Sequence, residues 1–140
     1  MQMPNETRLD EELIHAASAL LLRAHDPALH RVAAAARGAS GAIHLGLSLA
    51  TPRVSVCAES SAIANAKIAG EPSITTIVSV GLDPDDRPRV INPCGVCREV
   101  VPKFGTDELR VLVDAGDGRV IAATPEQLLP MPWVRARSYA

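Results

Sequence analysis

The run Ser73-Ile74-Thr75-Thr76-Ile77-Val78-Ser79-Val80 is β-branched and nearly continuous, the pattern of a central strand covered on both faces. Such a strand needs helices above and below it, and the flanking sequence offers them. Upstream, Cys57 to Ala69 reads as an alanine-rich helix stopped by Gly70 and Pro72. Before it, His30 to Arg37 and Ala42 to Leu49 read as two strands around the turn Gly38-Ala39-Ser40-Gly41. At the start, Thr7 is placed to cap a helix in which Leu9, Leu13, Ile14, Ala17, Leu20 and Leu21 recur at helical spacing up to Ala24. Downstream, Gly81 to Arg89 reads as a turn-rich connection, and Pro93 marks a helix from Cys94 to Phe104 that Pro102 should kink or end. Leu109 to Asp114 and Arg119 to Ala122 then read as strands around Ala115-Gly116-Asp117-Gly118, and Thr124-Pro125-Glu126 opens a short helix through Leu129. The order α-β-β-α-β-α-β-β-α points to an α/β layer structure with a mixed sheet between helices.

The 140 residues make one domain, long enough to bury a core without staples. With 47% hydrophobic and 21% charged residues the chain reads as globular rather than disordered. A net charge of −2, from 14 basic and 16 acidic residues, argues against a partner bound through nucleic-acid phosphates. Phe104, Trp133 and Tyr139 are the whole aromatic content, so the core is expected to be Ala, Val, Ile and Leu, with almost no aromatic residue for stacking exposed bases. The longest apolar stretch, Ala16 to Ala24, is interrupted by Ser18 and Arg23, which excludes a membrane span. The polar, acidic start does not read as a secretory signal, and three cysteines are too few and odd in number to be expected to form a disulfide framework. A reducing, cytoplasmic setting is expected.

All three cysteines fall into one pattern: Cys57-Ala58-Glu59, then Pro93-Cys94-Gly95-Val96-Cys97-Arg98. Cys94 and Cys97, three apart at a helix start, point the same way and can grip one tetrahedral metal. Three protein ligands leave a fourth position free, the mark of catalytic rather than structural zinc. Glu59 stands close enough to reach a water at that position. The bland alternative, that these are small buried hydrophobes, leaves the adjacent Glu59 and the two helix starts unexplained.

The C-A-E and P-C-x-x-C pair resembles the zinc-dependent cytidine deaminase superfamily, in the three-cysteine form of the small homotetrameric cytidine deaminases and blasticidin S deaminases. The leading helix, Val32-Ala33-Ala34-Ala35, and Leu128-Leu129-Pro130 followed by Trp133 extend the likeness over nearly the whole chain. The resemblance implies a three-layer α-β-α fold with a mixed five-stranded sheet over residues 1–140, and a homotetramer. It makes Cys57, Cys94 and Cys97 ligands of Zn2+ and Glu59 the proton shuttle for water attack on an amine-bearing ring carbon with release of ammonia. The substrate it implies is a small nucleoside or amino-heterocycle, not a nucleic acid or a membrane. Zinc with three thiolates carries −1, so charge must be withdrawn. Helix starts at Cys57 and Cys94 offer some positive charge. Relatives often have an Arg where Ser60 stands, so compensation leans on Arg98, through charge and hydrogen bonds to the sulfurs.

The sugar-binding part departs from the family pattern. With Gly46 placed at the family's glycine, Ser48 and Ala50 occupy the positions of the Asn and Glu that hold ribose hydroxyls, and Ala50 has no side-chain hydrogen bond to give. The loop from Gly46 to Cys57 has the shorter length of blasticidin S deaminases. The expected substrate is therefore a cytosine-bearing nucleoside or analogue of the blasticidin S type. Ordinary cytidine and deoxycytidine salvage is the alternative, and a silent zinc-stabilised binding module the rival of another class. Substrate contacts are assigned to His30, Ser48, Ala58, the backbone carbonyl of Asn92, and Trp133. His30 either stacks on the ring or lies exposed at a strand start; Trp133 either closes over a site or joins the core. Arg53 either meets an anionic group or is solvated. His44 is read as surface or core, and Phe104 as core.

Overall fold

A computed structural model describes residues 4–139. Helix α1 (Pro4–Ala24) is followed by strands β1 (Val32–Gly38) and β2 (Ile43–Leu47), the short strands β3 (Leu49–Ala50) and β4 (Ser55–Val56), and helix α2 (Ala58–Ile68). Strands β5 (Ile74–Leu82) and β6 (Pro88–Ile91) lead to helix α3 (Gly95–Val100) and a 3-10 turn (Val101–Phe104). Strands β7 (Gly105–Asp114) and β8 (Val120–Ala123) and helix α4 (Pro125–Leu128) complete the regular structure. No helix among the described residues is long and apolar enough to cross a membrane.

The sheet runs β2-β1-β5-β7-β8 and is mixed, since β5 and β7 are parallel and the other neighbours antiparallel. A sixth strand, β6, pairs with the far half of β5, Ser79 to Leu82, beyond the stretch that β7 occupies. Sequence reading expected five strands and a connection over 81–89; the hairpin β5–β6 stands there instead. Its two prolines hid it: Pro84 lies in the turn and Pro88 is the first residue of β6, a position that needs no ladder N–H. Asp83 closes the turn by accepting from the N–H groups of Asp85 (2.8 Å) and Arg87 (3.0 Å). The consequence is functional, because β6 delivers the chain to Pro93 and Cys94.

Alternation along β1 builds the two cores. Ala33 and Ala35 face α1 with Leu13, Ala17, Leu21, Val78, Val80 and Leu112. Ala34 and Ala36 face α2 and α3 with Ala62, Ile63, Ala66, Ile77, Cys97, Val101 and Val111. Helices therefore cover both faces of the sheet, as the continuous β-branched run of β5 requires. Small side chains on β1 let both helices approach closely. Helix α1 starts at Pro4, so Thr7 lies inside its first turn rather than at the cap. Asp10, buried on this helix, receives a two-pronged guanidinium from Arg110 of β7 at 2.8 and 2.7 Å. The third helix ends at Val100 and tightens to the 3-10 turn at Pro102, while Phe104, expected in the core, is 43% exposed. Thr124 caps α4 in a reciprocal box with Gln127.

The β1–β2 turn is locked from behind. Glu71 accepts from the Ser40 hydroxyl at 2.5 Å and from its N–H at 3.0 Å, and lies 2.6 Å from His44 Nε2. Its carboxyl fills the space where a side chain at Gly38 would sit. The Ser40 hydroxyl, then His44, hold the Glu71 carboxyl down at about 2, against an ordinary value of 4.5. A depressed carboxylate stabilises the fold above its unfolded value, and the contribution fades as pH falls from 4.5 towards 2. Thermal melts should show Glu71→Gln costing stability at pH 7 and progressively less between pH values of about 4.5 and 3; an equal penalty throughout would contradict the clamp.

Candidate active site

Helix α2 is seated on the edge strand β2 by three contacts. Gly46 lies so close to the helix that a Cβ there would overlap the Ala58 carbonyl and the Ala62 backbone. Asn65 Nδ2 donates to the Leu45 carbonyl at 2.7 Å, and the Leu47 N–H donates to Ser61 Oγ at 3.2 Å. These side chains also satisfy the outer edge of β2, which no strand among the described residues covers. The seat fixes the first turn of α2, and with it Cys57 at the cap, Ala58 and Glu59.

The second cluster arrives from β6. Cys94 caps α3 and Cys97 follows within its first turn. Asn92 is pinned to β7 by donating to the Asp114 carbonyl (3.2 Å) and accepting the Asp114 N–H (2.7 Å). Arg98 donates Nε to the Pro93 carbonyl at 2.9 Å and a terminal nitrogen to the Leu128 carbonyl at 3.1 Å. Its hydrogen bonds therefore go to backbone oxygens that brace the Cys94 loop against α4, and none of them goes to a cysteine sulfur. The positive charge is near the cluster, but the direct sulfur contact expected from the sequence is replaced by positioning.

The three sulfurs converge. Cys57 and Cys94 lie 3.6 Å apart, and all three sulfurs lie within 4.8 Å of one another. A tetrahedral centre with Zn–S of about 2.3 Å places sulfurs roughly 3.8 Å apart, so the set fits a single zinc ion. Cys97 is fully buried, Cys57 half-buried and Cys94 exposed. Burial, the charge of Glu59 and the neighbouring thiols push the Cys97 thiol far up; burial also raises Cys57. Burial works upward on Cys94 too, but the amides of Cys97 and Val96 and the adjacent thiols hold it below the usual thiol value. Gathering three sulfurs against these costs is explained by a cation that takes them as thiolates.

Cys57, Cys94 and Glu59 open on one cleft, whose walls also include Arg31, Val32, Ser48, Leu49, Ala50, Ser55, Val56, Ala58, Ile91 and Asn92. Glu59 is 6% exposed and has no hydrogen-bond partner among the described residues. On its other side, Ile77, Ser79, Cys97, Arg98 and Val101 form an apolar crevice against the sheet.

Of the expected substrate contacts, Ser48, Ala58 and Asn92 lie on the cleft wall, and His30 and Trp133 do not. His30 Nδ1 lies 2.8 Å from the Ser48 carbonyl, which ties the strand start to the β3 lead-in. Ser48 Oγ accepts the Val32 N–H at 3.0 Å. Trp133 is 75% exposed in a segment without helix or strand, which removes the core reading. Arg53 is at the exposed tip of the β3–β4 ribbon, outside the cleft, and His44 is the partner of Glu71. Sequence reading missed Arg31 on the cleft wall, and missed Ser61 and Asn65 as the helix seat. Position beside Val32 was the available signal for Arg31; nothing local announces the other two.

Gly46→Ala should destabilise the fold by about 1–3 kcal/mol through overpacking and weaken zinc retention by shifting Cys57. Thermal melts and zinc content after dialysis measure both; a variant with unchanged zinc retention would show that this seat does not set the site.

Comparison with known proteins gives the family and the fold. The family described as the cytidine and deoxycytidylate deaminase zinc-binding region matches residues 7–113. A blasticidin-S deaminase of Bacillus cereus is 34% identical, over 96% of this chain and 99% of that protein. A cytidine deaminase structure from Burkholderia pseudomallei is 29% identical with a TM-score of 0.72, covering 88% of this chain and 98% of that one. One from Bacillus anthracis superposes with a TM-score of 0.75 at 22% identity, covering 89% of each chain, and speaks for the fold.

Proposed function

The chain belongs to the cytidine and deoxycytidylate deaminase family, and from that premise we propose that it deaminates a cytosine-bearing nucleoside analogue of the blasticidin S type. It is a zinc-dependent hydrolytic deaminase. In our reading Cys57, Cys94 and Cys97 hold the zinc, and Glu59 is the catalytic carboxylate. Zinc, when bound, supplies the Lewis acidity that makes water a nucleophile at neutral pH.

The residues of the chain do the rest. Glu59 accepts a proton from the attacking water and passes it to the ring nitrogen beside the amine-bearing carbon; it then takes the proton of the hydroxyl newly formed on that carbon and gives it to the amine, so that a carbonyl forms as the C–N bond breaks and ammonia leaves. Its placement in the first turn of α2, within the cleft and unengaged by other side chains, suits repeated proton transfer. Asn92 lies on the cleft wall, and we assign its backbone carbonyl as acceptor for the substrate amine; Arg98 holds the Pro93 carbonyl just before Cys94. A silent zinc module would have no use for such a carboxylate.

The observation that favours an analogue over cytidine is the wall at Ser48 and Ala50, where ribose hydroxyls find one engaged hydroxyl and one methyl group. A hydroxyl already accepting one bond and a methyl group offer a diol fewer partners than an Asn and a carboxylate would, so it gains less there. We further read the chain as a single domain acting in the cytoplasm as a homotetramer, with the exposed apolar residues Val120, Ile121, Met131 and Trp133 available for contacts between copies.

Ammonia release from blasticidin S, cytidine, deoxycytidine and cytosine tests the substrate. We expect kcat/KM for blasticidin S to exceed that for cytidine by about tenfold or more, the scale set by unpaired polar groups; a preference for cytidine would make this a salvage enzyme. Glu59→Gln should keep the fold and one zinc per chain while turnover falls by about a hundredfold or more. Turnover that survives in that variant would remove Glu59 from the chemistry.

A further inference from the structure

Hydroxyl-rich ligands find few free partners along the cleft. Ser48 Oγ is engaged by the Val32 N–H, and the Asn92 amide by both backbone groups of Asp114. The cation on the wall is Arg31. Among the described residues its guanidinium has neither a hydrogen bond nor an ion pair. Arg31 is exposed, whereas the half-buried arginines are engaged: Arg37 with the Leu9 carbonyl and Glu12, Arg98 with two carbonyls, Arg110 with Asp10.

The backbone beneath Arg31 is held from both sides. His30 Nδ1 lies 2.8 Å from the Ser48 carbonyl, and the Val32 carbonyl accepts the Ser48 N–H at 2.9 Å. The rest of the wall follows, since the Ala50 N–H donates to the Leu29 carbonyl at 3.0 Å. A cation presented from a fixed backbone pays only side-chain ordering when a ligand arrives. Glu59 is the carboxylate on the same cleft, so a negative group on the ligand is repelled from the Glu59 end and drawn to Arg31.

We propose that Arg31 determines specificity by receiving an anionic group, a carboxylate or a phosphate, carried on the part of the substrate remote from its amine. The planar fork of a guanidinium matches either oxyanion. The proposal rests on the deaminase reading above for the orientation of the substrate, with the amine at Glu59.

The test uses the zinc-loaded full chain, wild type and Arg31→Gln, with two ligand sets. Uridine, its 5′-carboxylate and its 5′-phosphate have no amine to lose, so calorimetric titration reads their binding alone. Cytidine with the same two modifications reads turnover. Wild type should bind one charged uridine ligand more tightly than uridine, and Arg31→Gln should remove roughly fivefold to tenfold of that gain while leaving uridine unchanged. Whichever anion shows the effect identifies the group. In the reacting set the same ratio should appear in KM, with kcat unchanged, and Arg31→Lys should restore part of it. No change in the charged-to-neutral ratio, or equal losses for uridine and its charged forms, would overturn the proposal even if ammonia is released. Arg31-dependent binding of the charged uridine ligands without ammonia from any cytosine compound would instead uphold the anion site and defeat the deamination of this substrate class.

Discussion

The site depends on how closely one helix sits on one edge strand. Gly46 gives α2 a place that any larger residue would deny it, and Ser61 and Asn65 fix the helix along the strand by bonding the free edge of β2. The first turn of α2 is then in a defined place, with a sulfur at its cap and a carboxylate two residues on. The second pair of sulfurs reaches the same point by an independent route, along β6 and around the Pro93 turn. Two elements separated by the whole of β5 meet with sulfurs 3.6 Å apart.

Electrostatics supports our reading of the meeting point as a metal centre rather than an incidental cluster. Burial and the charge of Glu59 oppose thiolates at Cys57 and Cys97, while amide dipoles at the start of α3 favour one at Cys94. A divalent cation reverses the balance for all three. The surroundings supply further positive charge without sulfur contact, because Arg98 gives its hydrogen bonds to the Pro93 and Leu128 carbonyls. That bracing ties the Cys94 loop to α4, so this helix helps hold the site. Arg31 stands at the cleft wall as a second, unengaged positive charge, and the site reads as one acidic end and one basic wall.

Much of this was legible in the sequence. The β-branched run of β5 announced a buried central strand, and the alternation Ala33 to Ala36 fits a strand packed on both faces. Cysteine spacing pointed to the three sulfurs that converge, the donors we propose for the metal, because their placement depends on local geometry at helix starts, which sequence encodes directly. Other features depend on partners far along the chain. The strand β6 was hidden by Pro84 and Pro88, whose local signal is turn. Arg98 looked like a partner for sulfur because it follows Cys97, yet the carbonyls it finds are set by α4. His30 and Trp133 were assigned by position, and packing sends one to the Ser48 carbonyl and leaves the other exposed. Glu71 gave no local sign that it holds the β1–β2 turn, because Ser40 and His44 meet it only in three dimensions.

The central claim is that three cysteines hold a zinc with one position left for chemistry beside Glu59. X-ray absorption at the zinc edge of the purified, zinc-loaded protein tests it most directly. The account predicts three sulfur neighbours at about 2.3 Å and one oxygen or nitrogen neighbour at roughly 2.0 Å. A shell of four sulfurs, or zinc bound without the full set of three, would contradict it.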